Sequence, residues 1–163
     1  MQAPGKPGNE NERLEALRNL GILDSIPEQQ YNDIALVASV LCNTPIALIS
    51  LVDRDRQWFK ASIGLDVRET PRDISFCAYA ILGEDVFKVM DAREDERFEG
   101  NPLLEDLGVR FYAGAPLCND DGYSLGTICV IDNEARNLSD EQESALQALS
   151  RLTVKLLYSR DKK

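Results

Sequence analysis

The apolar positions of this chain change period several times, and each change marks a new element. Leu14, Leu17 and Leu20 recur at three-residue spacing from about Asn11, and Gly21 follows as a stop, so the pattern predicts a short helix. Ser25-Ile26-Pro27-Glu28 reads as an S-x-x-E capping box with proline in the first turn. Behind it, Tyr31, Ile34, Val37, Ala38 and Leu41 hold one helical face until Asn43-Thr44-Pro45 ends it. Ile46–Val52 is almost continuously apolar, which predicts a strand buried on both faces. Asp53-Arg54-Asp55 turns the chain, and Gln57–Ile63 returns as a second strand carrying Trp58 and Phe59. Gly64–Asp73 reads as a charged loop, with Thr70-Pro71-Arg72-Asp73 a turn into the next element. Ser75–Leu82 predicts a small buried helix, capped by Asp73 or Ser75 and closed by Gly83. Val86–Met90 is a third strand, and Asp91–Gly108 a long polar loop. Two strands flank the Asn119–Gly122 turn. Ser139-Asp140-Glu141-Gln142 is a second capping box, ahead of Leu146, Leu149, Leu152, Leu156 and Leu157 at helical spacing.

Helices at both ends around runs of hairpins indicate an α+β fold with a mainly antiparallel sheet. The 163 residues suit one domain with its own core. Met1–Asn9 is rich in Gly, Pro and polar residues, so residues 1–10 are expected to form a disordered tail and 11–163 a single domain. A net charge of −10 argues against nucleic acid and anionic membrane as partners, since both reward basic surfaces. No apolar run approaches the roughly 20 residues of a membrane helix, and the N-terminus has no apolar signal-peptide region. A cytoplasmic protein is the expectation. Cys42, Cys77, Cys118 and Cys129 form no CxxC pair, and there is no histidine, so separate reduced cysteines and no bound metal are expected. The missing imidazole also excludes a histidine-based triad or general base.

Three stretches carry candidate chemistry. In RFYAGAPLCNDDGYSLGTICVID, Arg110 and Tyr112 alternate with Phe111, Ala113 and Ala115. One face is therefore apolar, and the other presents a cation and a phenol. A turn centred on Asp121-Gly122 sets Gly114 opposite Cys129, Tyr112 opposite Ile131 and Cys118 opposite Leu125, unless Gly114 or Pro116 shifts the register. Gly114 marks either room for a ligand or a bend with a tyrosine filling the core. In SFCAYAI, Cys77 sits in the first turn, where the helix dipole favours a thiolate; it is a reactive thiol, a ligand contact or a packing cysteine. In DAREDERFEGNP, Arg93 and Arg97 stand among five acids, and Phe98 needs burial.

These blocks in this order resemble a GAF domain, of the subgroup found N-terminal to bacterial signalling output domains such as histidine kinases and diguanylate cyclases. The match runs from Glu12 to Tyr158 through ILDSIPEQQYNDIALVASVLCNTPIALISLVDRDRQWFKASIGLDVRETPRDISFCAYAI, DAREDERFEGNPLL, VRFYAGAPL and SLGTICVIDNEARNLSDEQ. The resemblance implies an antiparallel sheet of five or six strands. Terminal helices would pack on one face, with the small helix and long loop covering a pocket on the other. Carried over by position, the pocket would be approached by Phe76, Cys77 and Tyr79 from the helix. Asp91, Arg97, Phe98 and Asn101 would come from the loop, and Arg110 and Tyr112 from the sheet. The subgroup commonly has histidine where Tyr79 stands. With no histidine, haem and bilin are disfavoured and no cofactor is expected.

The reading that follows is a non-enzymatic sensory module for an unidentified small cytosolic molecule, signalling through its terminal helices. A homodimer through those helices is expected, with an output domain or partner protein to receive the signal. Two alternatives are a thiol enzyme resembling free methionine-(R)-sulfoxide reductases, with Cys77 as nucleophile, and a ligand-free dimerisation scaffold. The scaffold predicts Tyr112, Phe76 and Phe98 collapsed together.

Overall fold

A computed structural model describes residues 2–160. The chain runs through α1 (Glu10–Asn19), α2 (Gln29–Cys42), β1 (Ile46–Val52), β2 (Arg56–Ile63), β3 (Glu69–Pro71), α3 (Phe76–Ala80) and β4 (Phe87–Val89). It continues with α4 (Pro102–Asp106), β5 (Phe111–Cys118), β6 (Ser124–Asp132) and α5 (Asp140–Tyr158). The strands form one six-stranded antiparallel sheet in the order β3-β2-β1-β6-β5-β4, the α+β class that the element order predicts.

Two apolar layers sandwich this sheet, and strand alternation assigns each residue to one of them. Ala47, Ile49 and Leu51 of β1 share one face with Phe111, Ala113 and Ala115 of β5 and Ile128 and Val130 of β6, and meet the terminal helices there. Ile46, Leu48 and Val52, with Tyr112, Cys129 and Ile131, face the opposite way, toward α3 and α4. The central strands are therefore covered on both sides, as the nearly continuous apolar run of β1 requires. Gly126 lets β1 and β6 come together, because a Cβ there would overlap the Ser50 carbonyl of the neighbouring strand.

The second capping box forms as predicted: the Ser139 hydroxyl accepts from the Gln142 amide at 3.2 Å, and the Gln142 side chain accepts from the Ser139 amide at 2.9 Å. The first does not. Helix α2 begins only at Gln29 and has no side-chain cap, because Ser25, Ile26 and Glu28 gather around the ammonium of buried Lys60. An ammonium out of water needs those acceptors more than the helix end needs a cap. Nor does α2 bury the face that its periodicity suggests. It turns Tyr31, Ala35, Ala38 and Cys42 inward and leaves Leu36, Val37, Val40 and Leu41 exposed.

Two short elements appear where loops are expected. β3 is a three-residue edge strand along β2, too brief to carry a period. Asn101 caps α4 through its side-chain oxygen with Pro102 in the first turn, a signal that also reads as a plain turn. The closing hairpin keeps Gly114 opposite Cys129 and Tyr112 opposite Ile131. Past Pro116 the register shifts, so Cys118 pairs with Ser124 rather than Leu125 and its side chain is exposed. Among the described residues no helix is long and apolar enough to cross a membrane.

Candidate functional site

The face of the sheet turned toward α3 and α4 carries polar groups in its middle. Ser50 of β1 lies directly opposite Thr127 of β6, and both are fully buried. Buried polar atoms need partners, and here they supply one another. Gln57 of β2 accepts from the hydroxyls of Ser50 at 3.2 Å and Ser75 at 2.7 Å, and donates to Thr70 at 2.5 Å. Ser75 also caps α3 by accepting from the Ala78 amide at 3.0 Å. That cap sets Cys77 over the strands.

Around the Cys77 sulfur three side chains converge. The hydroxyls of Tyr112 and Thr127 each donate to Cys77 Sγ at 3.1 Å, and Cys129 Sγ lies 3.9 Å away. Burial pushes the Cys77 thiol up, but the hydrogen bonds from Cys129, Thr127 and Tyr112 outweigh it and hold the thiol below its ordinary range. Cys129 moves the other way, well up, through burial and its contact with Cys77. The pair shares one favourable site for negative charge, and the geometry gives it to Cys77.

The Tyr112 phenol reaches Cys77 by folding back over Gly114, where a Cβ would overlap the hydroxyl. The space that glycine creates is thus filled by the protein's own tyrosine. Above it, Phe76 stacks on Phe98 with centroids 4.0 Å apart and planes within 2° of parallel, and Phe76 stands 5.4 Å from the Tyr112 ring. What remains beside Gln57, Phe76, Cys77 and Tyr112 is a cavity of about 20 Å³. That is room for a water molecule, far below the roughly 300 Å³ at which drug-sized ligand pockets begin. A larger ligand enters only if the Phe76–Phe98 stack and Tyr112 swing aside.

The remaining expected site residues divide into two further groups. Tyr79 lies partly exposed at the outer edge, edge-on to Phe98 at 5.2 Å, and donates to the Gln2 carbonyl at 2.5 Å. The guanidinium of Arg97 sits 5.6, 4.9 and 5.5 Å from the rings of Tyr79, Phe87 and Phe98, and is held by Asp95 at 2.6 Å. Asn101 is buried and donates to the Ile74 carbonyl at 3.1 Å, fastening the loop to the entry of α3. Arg110 donates to the carbonyls of Leu104 and Val109, closing the end of α4. Asp91 caps a turn and pairs with Arg93 at 2.9 Å. The structure therefore brings Phe76, Cys77, Phe98 and Tyr112 together under α3, places Tyr79 and Arg97 on the rim, and sets Asp91, Asn101 and Arg110 as braces of the loop.

The sequence reading did not reach Ser50, Gln57, Ser75, Thr127, Cys129 or Phe87 as site residues. One signal was available for Ser50 and Thr127: each is a hydroxyl inside an otherwise apolar central strand. Nothing along the chain says that they face one another.

The chain matches the family model described as GAF domain over residues 27–155. It is 45% identical over 161 residues to a cyclic di-GMP phosphodiesterase of Pseudomonas aeruginosa, which covers 98% of this chain. Only 27% of that protein is matched, so the chain spans about a quarter of the length of this curated relative. Among solved structures it is similar to the GAF domain from an Acinetobacter phosphoenolpyruvate-protein phosphotransferase, with a TM-score of 0.66 and 18% identity over 91% of this chain and 94% of that one. A type II free methionine-R-sulfoxide reductase from Thermoplasma acidophilum also reaches a TM-score of 0.66, with 14% identity over 87% of this chain and 95% of that one. At such identities the two structures speak for the fold alone. The family match over most of the chain, on a two-faced antiparallel sheet of this topology, shows that the chain belongs to the GAF domain family.

Proposed function

We propose that this chain is a non-enzymatic regulatory module of bacterial signal transduction. It receives a small molecule beneath α3 and the Asp91–Gly108 loop and passes the change to its terminal helices. The observation that carries this reading is the close match of nearly the whole chain to a minor portion of a cyclic di-GMP phosphodiesterase. On this reading the output is the turnover of a nucleotide second messenger by a separate catalytic segment, which this domain modulates.

The geometry supports a route between the two faces of the sheet. Glu10 at the start of α1 is bonded to Arg72 at 2.5 Å, and Arg72 opens the turn that leads into Ser75 and α3. A ligand that moves α3 therefore pulls on α1 through one ion pair, which is the linkage a sensory domain needs. The exposed apolar residues Leu36, Val37, Val40 and Leu41 of α2 would meet a second copy of the chain. Native against denaturing mass spectrometry, followed by thermal shift across a metabolite panel, tests the proposal. A retained small mass, or a metabolite that raises the melting temperature, is the expected result. A chain that carries nothing and responds to nothing in the panel would favour a ligand-free scaffold instead.

A further inference from the structure

Cys77 and Cys129 are oriented toward each other in a way that neither packing nor the sensory reading requires. They come from α3 and β6, far apart in sequence, yet their sulfurs lie 3.9 Å apart with both side chains buried. A disulfide needs about 2.0 Å between sulfurs, so an approach of about 2 Å would join them. Cys77 also lines the 20 Å³ cavity, and Cys129 does not. The half-buried Leu65 and Leu107 line the same cavity.

We propose that Cys77 and Cys129 form a peroxide-responsive dithiol, in which Cys77 takes the oxidant in the small cavity and Cys129 resolves it into a disulfide. Size selects the oxidant. Hydrogen peroxide, with two heavy atoms, is the two-electron oxidant nearest in size to this cavity, whereas an amino-acid sulfoxide is several times too large. In the first step Cys77 sulfur attacks one peroxide oxygen and the O–O bond breaks. The departing hydroxide takes the proton released by the thiol and leaves as water, with Cys77 as the sulfenic acid. In the second step Cys129 sulfur attacks Cys77 sulfur and the S–O bond breaks. Hydroxide again leaves with the thiol proton as water. The two sulfurs together give up two electrons, which reduce one peroxide to two waters.

The surrounding groups suit this chemistry. Tyr112 and Thr127 donate to Cys77, which stabilises its thiolate, the form that attacks peroxide. They do not serve Cys129 equally, so the two cysteines have different roles. Disulfide closure draws Cys77 away from both hydroxyls and displaces the first turn of α3, which carries Phe76. Oxidation and the pocket are thereby linked, but the dithiol does not depend on any ligand being found.

The test is a thiol map of the native chain in a Cys118→Ser background, which removes the exposed thiol as a source of intermolecular disulfide. After treatment with hydrogen peroxide, free thiols are alkylated in denaturant and the peptides are identified without reduction. The expected result is a Cys77–Cys129 cross-linked peptide, with a loss of about 2 Da from the intact mass that a dithiol reductant reverses. Cys129→Ser should stop at a sulfenic acid on Cys77, a gain of about 16 Da that dimedone captures, and Cys77→Ser should abolish both products. Alkylation of Cys77 and Cys129 undiminished after peroxide treatment would overturn the proposal. So would capture of the sulfenic acid on Cys129 instead. The parental map decides the matter even if either variant folds poorly.

Discussion

Tyr112 shows how far single residues can be read. Its alternation with Phe111 and Ala113 assigns it to the face away from the terminal helices, and a turn at Gly122 assigns Ile131 as its partner; both hold. Gly114 is equally legible as a gap. What fills the gap is a choice of rotamer, and the choice depends on Cys77 and Thr127 offering the phenol its hydrogen bonds. Arg110 was misread for a related reason. Its alternation suggested a pocket cation, but it donates to the carbonyls of Val109 and of Leu104 in α4, a helix the pattern did not reveal. Gly114→Ala should therefore destabilise the chain by about 1–3 kcal/mol, because the fully packed tyrosine has no room to yield. Thermal or urea unfolding checks it, alone and with Tyr112→Leu. The two substitutions should be far from additive, and simple additivity would mean that Tyr112 does not occupy that space.

At the scale of elements, two identical-looking signals had different fates. Ser139-x-x-Gln142 caps α5, whereas Ser25-x-x-Glu28 was drawn into the shell around Lys60, roughly 110 Å of extended chain further on yet adjacent in space. The ion cluster at the start of α1 has the same origin in long-range contacts. Glu10 binds Arg13 at 2.9 Å and Arg72 at 2.5 Å, and both arginines are buried. Burial raises the Glu10 carboxyl, but the hydrogen bonds from Arg72 and Arg13 outweigh it and bring it from 4.5 down to about 2. A carboxylate lowered in the folded state stabilises fully above its unfolded value. That stability is lost as pH falls from about 4.5 through about 2. Glu10→Gln should cost about 3 kcal/mol at neutral pH by leaving two buried guanidinium groups without their carboxylate. It should also flatten the acid limb of a stability-against-pH curve over that interval. An unchanged acid limb would show that Glu10 is not the group responsible.

For the whole molecule, the consequential feature is which side of α2 faces out. The sheet accepts Ala35 and Ala38, small enough to let the helix lie close, and this leaves Leu36, Val37, Val40 and Leu41 in solvent together with Leu152 of α5. α2 and α5 are neighbours running in opposite directions: Gln142 donates to the Leu41 carbonyl at one end, and Arg160 pairs with Glu28 at the other. Their outer surfaces lie side by side, and both carry exposed apolar residues. Val40 is 71% exposed, so Val40→Glu should leave the stability of the folded chain within about 0.5 kcal/mol of the parent's. Sedimentation should then shift from dimer to monomer. A parent chain that is monomeric at high concentration would remove this surface from the proposed signalling route.

The sequence by itself determined the α+β class, the strand pairing of the closing hairpin as far as Pro116, the second capping box and the GAF resemblance that the family match bears out. These rest on local rules: side-chain period, turn residues and the hydrogen bonds of a helix end are settled within a few residues. Tertiary structure alone decided which face of α2 is buried, where Lys60 finds its acceptors, that Tyr112 occupies the room above Gly114, and that Cys77 meets Cys129. Each of those outcomes depends on groups from distant parts of the chain competing for the same buried space or the same hydrogen bond, and no local pattern records the winner.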